Sequence, residues 1–134
     1  MTQFISPGAT IGIIGGGVTA FQMANTANSM GMRTVVLAPT QTDIAFEKAD
    51  IPLVGDATDR TALKELTQLS TVMTFTDENV DGSLLAELAT ANQLPSGVDI
   101  LTVTQDRYLE KVFLDDLNMN ILPYTQVITP NDLK

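Results

Sequence analysis

The chain has 134 residues, enough for one domain with a sizeable core and no need of disulfides. Hydrophobic residues make up 44% and charged residues 17%, which is a globular balance, while a formal net charge of −9 with only seven Lys and Arg speaks against nucleic acid as a partner. There is no Cys and no His, which excludes disulfide and thiolate chemistry and a self-contained Ser-His-Asp hydrolase.

In chain order, strand and helix signals alternate. No basic segment followed by an apolar core appears in MTQFISPGAT, and no apolar run approaches a membrane span, so a cytoplasmic protein with no membrane partner is expected. Thr10 to Ile14 is β-rich and leads into Gly15, Gly16 and Gly17. A helix pattern follows from about Val18 to Met30, with Phe21, Ala24 and Ala27 on one face and Gly31 as its stop. Arg33 to Ala38 is a continuous apolar strand ended by Pro39. A short helix is expected near Ile44 to Lys48 and a third strand at Pro52 to Val54.

Asp56 to Asp59 is a polar lead into a helix of about Arg60 to Leu69, with Leu63, Leu66 and Leu69 on one side. Thr71 to Phe75 is a fourth strand and Thr76 to Asp81 an acidic loop. A helix from about Ser83 to Asn92 and a fifth strand at Val98 to Val103 complete the alternation. Thr104 is placed to cap a further helix, whose core positions are Tyr108, Leu109, Val112, Phe113 and Leu117. Lys111 and Asp115 stand at pairing distance on it. From Ile121 the chain turns extended.

Unalternating apolar strands separated by helices point to a Rossmann-like, doubly wound parallel sheet in a three-layer α/β/α arrangement. Such a sheet takes ligands beyond the C-terminal ends of its strands, at the switch point. The loops after the first and fourth strands are therefore the candidate site.

Gly15-Gly16-Gly17-Val18-Thr19-Ala20 fits G-x-G-x-x-A. Gly15 permits a tight turn, Gly17 lets backbone approach a phosphate, and Ala20 lets helix pack close to strand. A dinucleotide site also needs an acid at the end of the second strand, to bond ribose hydroxyls. That position holds Ala38, and the nearest acid is Asp43, beyond Pro39. NAD and NADP are disfavoured on this ground.

Three stretches together resemble one family: IGIIGGG at the start, Glu78-Asn79-Val80 after a strand, and Asp106-Arg107 to Glu110-Lys111 followed by Phe113-Leu114 and Leu122-Pro123. They are similar, in order and over nearly the whole chain, to the N-terminal (pre-ATP-grasp) domain of the carboxyaminoimidazole ribonucleotide synthetases. The resemblance implies an ATP-grasp enzyme of purine biosynthesis that joins aminoimidazole ribonucleotide to bicarbonate with ATP and magnesium. It implies that Gly15, Gly16, Gly17, Val18, Thr19, Glu78 and Asn79 help hold the small-molecule ribonucleotide, and that Arg107 approaches an ATP phosphate. ATP and Mg themselves belong to two later lobes that the sequence does not contain. On this reading residues 1–120 are the domain and 121–134 begin a connector; the chain is an inactive portion with no catalytic residue and no bound cofactor of its own, and a homodimer is one arrangement open to it.

Two departures fall at the site. The family usually continues its glycines with Gln-Leu-Gly, and this chain has Val18-Thr19-Ala20. The family's second strand usually ends in Asp before Pro, and here Ala38 stands there. Asp77 and Asp81 read as loop and cap residues, Asp106 as a residue of a first helical turn, and Arg107 has Glu110 as an alternative partner three residues on. Two rival readings are a nucleotide-sensing Rossmann module without catalysis and a scaffold whose loop binds nothing.

Overall fold

The computed structural model describes residues 4–133. Its main elements are β1 (Thr10–Ile14), α1 (Val18–Ser29), β2 (Arg33–Ala38), β3 (Ile51–Val54), α2 (Arg60–Leu69), β4 (Val72–Phe75), α3 (Gly82–Leu88), α4 (Asp99–Thr104) and α5 (Arg107–Asp116). Short 3-10 turns lie at Ile44–Lys48 and Pro130–Leu133. The strands form one sheet in the order β3-β2-β1-β4, with every pairing parallel. The chain winds outward from β1 to β3 and then returns to the far side of β1. That reversal creates a switch point between β1 and β4.

Both faces of the sheet are covered, which is why its strands are apolar without alternation. Successive residues serve opposite faces. Ile13 and Val36 pack under α1 with Ala20, Ala24 and Ala45. Ile14, Val35, Leu37 and Met73 pack on the other face with Leu63, Leu66, Leu85 and Leu101. The three buried alanines of α1 keep that helix close to the sheet, and Gly31, at φ 77°, ends it in the left-handed conformation. Each fully buried leucine contributes roughly 1.5–3 kcal/mol relative to an exposed one.

The α2 helix spans the expected residues, and Asp59 caps it by accepting from the Thr61 amide at 2.8 Å. Its leucine stripe is shorter than expected. Leu63 and Leu66 are buried, but Leu69 is exposed. Steps of three residues lag the helix by about 60° each, so the third leucine rotates away from the sheet. Thr67 takes its place, and its hydroxyl donates to the Leu63 carbonyl at 2.7 Å.

The second half departs from expectation in several ways. The helix expected at Ser83 to Asn92 ends at Leu88, where Ala89 turns extended. No fifth strand forms at Val98 to Val103: these residues lie in and beside α4. The open edge of β4 is taken instead by the turn before α4, where the Met73 amide donates to Gln93 O at 2.6 Å. The Gln93 side chain fixes that turn by donating to the Thr67 and Ser70 carbonyls. With its edge position filled, the β-branched run coils into a short helix that buries Leu101 in the core.

Thr104 does not cap α5. It ends α4 and donates back to the Ile100 carbonyl, while Asp106 caps α5 by accepting from the Tyr108 and Leu109 amides. The expected core positions of α5 are not core, since no residue of this helix is buried. Leu109 and Phe113 stay 44% and 45% exposed, because α5 packs against α4 and not against the sheet. The Tyr108 ring meets Tyr124 edge-on at 6.0 Å, which lays the following segment against the helix. The ion pairs among the described residues are Arg60–Glu87 and Arg107–Glu110, so Lys111 and Asp115 do not pair. Among the described residues no helix is long and apolar enough to cross a membrane.

Candidate functional site

The glycine loop closes β1 and opens α1. Gly15 sits at φ 133°, where its amide donates to the Leu37 carbonyl at 2.9 Å. A Cβ there would overlap the hydroxyl of Thr76, which itself donates to Ile14 O at 3.2 Å. The first glycine is thus required twice, by its dihedral and by the first residue of the loop after β4. Gly16 accepts from the Ala45 amide at 3.1 Å, and a Cβ on it would lie 2.8 Å from Asp43 Oδ1. Gly17 is the N-cap of α1, has no side-chain cap, and would have nothing within 4 Å of an added Cβ. It stands at the positive end of a twelve-residue helix with no acid in the first turn.

Opposite this loop stands the segment after β4. Asp77 accepts from the Asn79 amide at 3.0 Å, and Asp81 accepts from the Leu84 amide to cap α3. Both are the loop and cap residues their positions suggest. Val80 is buried and anchors the loop in the core, leaving Glu78 and Asn79 exposed at its tip. Gln105, at the C-terminal end of α4, reaches back and donates to the Glu78 and Val80 carbonyls.

Between the two loops lies a cleft of about 1070 Å³ at the C-terminal ends of the strands. Gly15, Gly16, Gly17, Glu78 and Asn79 all line it. Val18 and Thr19 do not: both are exposed on the first turn of α1 and lie outside the cleft. Arg107 is also outside it. Its side chain is 85% exposed and lies 3.2 Å from Glu110 Oε2. That pair is close without hydrogen-bond alignment, since the same oxygen has no hydrogen-bond partner, and it adds little to stability.

The structure adds lining residues that the motifs do not mark. Asp43 folds back from beyond Pro39 to line the cleft beside Gly16. Asp56 and Thr58 line it from the end of β3. The hydroxyl and amide of Thr58 both donate to Asp56 and hold its carboxyl below its usual value. Gln105 completes the wall. The first three follow strand ends, the one signal that could have marked them; Gln105 carries none. Five carboxylates line the cleft (Asp43, Asp56, Asp77, Glu78 and Asp81) and, among the described residues, no Lys or Arg does. The arrangement offers acceptors to hydroxyl and amine donors, and backbone amides to one anion.

A family model described as the ribonucleotide synthetase preATP-grasp domain matches residues 8–105. The chain belongs to this family. The matched preATP-grasp segment contains both loops of the cleft and stops before Arg107. The chain is 36% identical over 132 residues to the N5-carboxyaminoimidazole ribonucleotide synthase of Bacillus subtilis, covering 98% of this chain and 35% of that protein. A Brucella melitensis protein of the same name is 38% identical over 124 residues, covering 92% and 34%. The crystal structure of Staphylococcus aureus N5-carboxyaminoimidazole synthetase complexed with ADP superposes with a TM-score of 0.92 at 32% identity, covering 99% of this chain and 36% of that one. The chain thus spans about a third of the length of the curated relatives it matches. The preATP-grasp fold accounts for the four-stranded parallel sheet and for a cleft at its switch point.

Proposed function

We propose that this chain is the ribonucleotide-holding preATP-grasp part of an ATP-dependent carboxylase, which converts aminoimidazole ribonucleotide and bicarbonate to carboxyaminoimidazole ribonucleotide. One observation carries the reading: in a chain of this family, the glycine loop and the Glu78-Asn79 loop face each other across one cleft. The amides at the start of α1 suit the ligand's anionic end. The carboxylates suit its hydroxyl and amino groups. Gly15, Gly16, Gly17, Glu78 and Asn79 are the proposed contacts. The positions of Val18 and Thr19 outside the cleft argue for leaving them out.

The described residues do not supply a magnesium site of their own. Among the described residues no group of three or more His, Cys, Asp or Glu could hold a metal, and Arg107 does not line the cleft. ATP and Mg are therefore assigned to the other two thirds of such an enzyme. Residues 1–120 form the proposed domain, and residues 121–134 begin the proposed connector.

Calorimetric titration of the chain with aminoimidazole ribonucleotide, AMP and NAD tests the reading. Saturable binding of aminoimidazole ribonucleotide above the other two is the expected result. Tight NAD binding, or no ribonucleotide binding, would overturn it. In a longer chain carrying the remaining lobes, ATP hydrolysis should require both aminoimidazole ribonucleotide and bicarbonate.

A further inference from the structure

The end of β2 is where a Rossmann-like sheet presents an acid to ribose hydroxyls. Here that residue is Ala38, which is buried and apolar. The chain after it does not leave the site. Pro39 ends the strand, and the next four residues turn back on themselves: the Asp43 amide donates to Thr40 O at 3.1 Å, and the Thr40 amide donates to Asp43 Oδ2 at 2.9 Å. The turn is then fastened to the glycine loop by the Ala45 amide on Gly16 O. These bonds fix one oxygen of Asp43 and hold the other against Gly16, in the wall of the cleft. No hydrogen bond among the described residues engages Asp43 Oδ1, and Asp43 is only partly buried where it lines the cleft.

We infer that Asp43 is the ribose-recognising residue of this chain, an acid supplied from a returning loop in place of the one missing at Ala38. Resting on the ribonucleotide reading above, it names what the β2 side of that cleft recognises: the 2′,3′-hydroxyl pair. A carboxylate with one anchored oxygen accepts from a vicinal diol without first giving up rotamer freedom, since the Thr40 amide has already fixed it. Gly16 is part of the same device. A side chain at that position would occupy the space of the carboxyl group. Asp56, the next acid along the wall, is committed to Thr58 through both of the bonds its Oδ1 accepts. Of the two acids, Asp43 is the one that lies against Gly16 of the glycine loop.

Sugar discrimination is the measurement that a merely structural role would not move. Aminoimidazole ribonucleotide and its 2′-deoxy analogue are titrated against the wild-type chain and Asp43→Asn. The asparagine keeps an oxygen for the Thr40 amide but loses the charge. The wild type should prefer the ribose form about tenfold. Asp43→Asn should bind that form about tenfold more weakly, prefer it by less than about threefold, and unfold within a few degrees of the wild type. A wild type that binds both sugars equally, or a variant that keeps the full preference, would overturn the inference and leave the ribonucleotide reading intact. A wild type that binds neither compound overturns both. The wild-type comparison stands even if the variant fails to fold.

Discussion

The side-chain amide of Gln105 donates to the carbonyl oxygen of Glu78 at 2.8 Å, across 27 residues of sequence. The same nitrogen donates to Val80 O at 2.8 Å, so its two hydrogens clasp both ends of the proposed ligand-facing turn. Gln105→Ala should weaken aminoimidazole ribonucleotide binding several-fold while costing about 1 kcal/mol of folding stability, as for partly exposed hydrogen bonds. Amide exchange at Asn79 and Val80 should quicken, with exchange in β1 unchanged. Unaltered exchange at those amides would refute the clasp.

Gly15 and Gly17 should respond in opposite ways to the same change. Gly15→Ala meets both a positive φ and the Thr76 hydroxyl, and should cost on the order of 1–3 kcal/mol in urea unfolding. Gly17→Ala meets nothing within 4 Å and has an ordinary backbone conformation, so stability should change by less than about 1 kcal/mol. On the proposed reading its methyl group would stand between the ligand and the helix amides, and ribonucleotide binding should fall. Retained binding in Gly17→Ala would remove that loop from the site.

Phe113→Ala in a packed helix would cost about 3–5 kcal/mol. Here it should cost less than about 1 kcal/mol, because the ring is half-exposed on α5. Leu85→Ala, on a fully buried residue of α3, should cost about 2–5 kcal/mol. Denaturant midpoints of the two variants give the comparison directly.

Acid sensitivity should start with Glu87 and Asp56. The Arg60 guanidinium holds Glu87 below its usual value of 4.5, and Thr58 holds Asp56 below 3.8. A carboxyl lowered by folding stabilises the native state above its ordinary value and loses that contribution as pH falls through the lower, folded one. Stability should therefore be level near neutrality and decline below about pH 4.5, with Glu87→Gln flattening the upper part of that decline. Salt should weaken the Glu87 contribution, because both partners are exposed.

The first half of the chain was legible because local signals and tertiary demands agree there. Arg33 to Ala38 is apolar, β-branched and closed by proline, and it is a strand over those residues. Arg60 to Leu69 is capped by Asp59 and amphipathic, and it is a helix over those residues. The second half misled where one signal had two solutions. Val98 to Val103 has strand composition, but a strand needs an unpaired edge, and Gln93 had already taken the one that β4 offered. The pattern of Tyr108, Leu109 and Phe113 marks an amphipathic helix correctly. It does not say what covers the apolar side, and within this chain that side stays largely open.

By itself the sequence determined the parallel sheet, its switch point and the two loops that frame the cleft, because periodicity and glycine spacing are local properties of the chain. Tertiary structure alone decided which side chains share that cleft. Val18 and Thr19 follow the glycines directly, yet helix geometry turns them outward; Asp43 and Gln105 lie far away in sequence, yet returning backbone brings them in. The physical reason is that a lining residue is chosen by where its backbone comes back to the sheet, and hydrogen bonds such as Ala45 to Gly16 and Gln105 to Glu78 set that return only once the whole domain has folded.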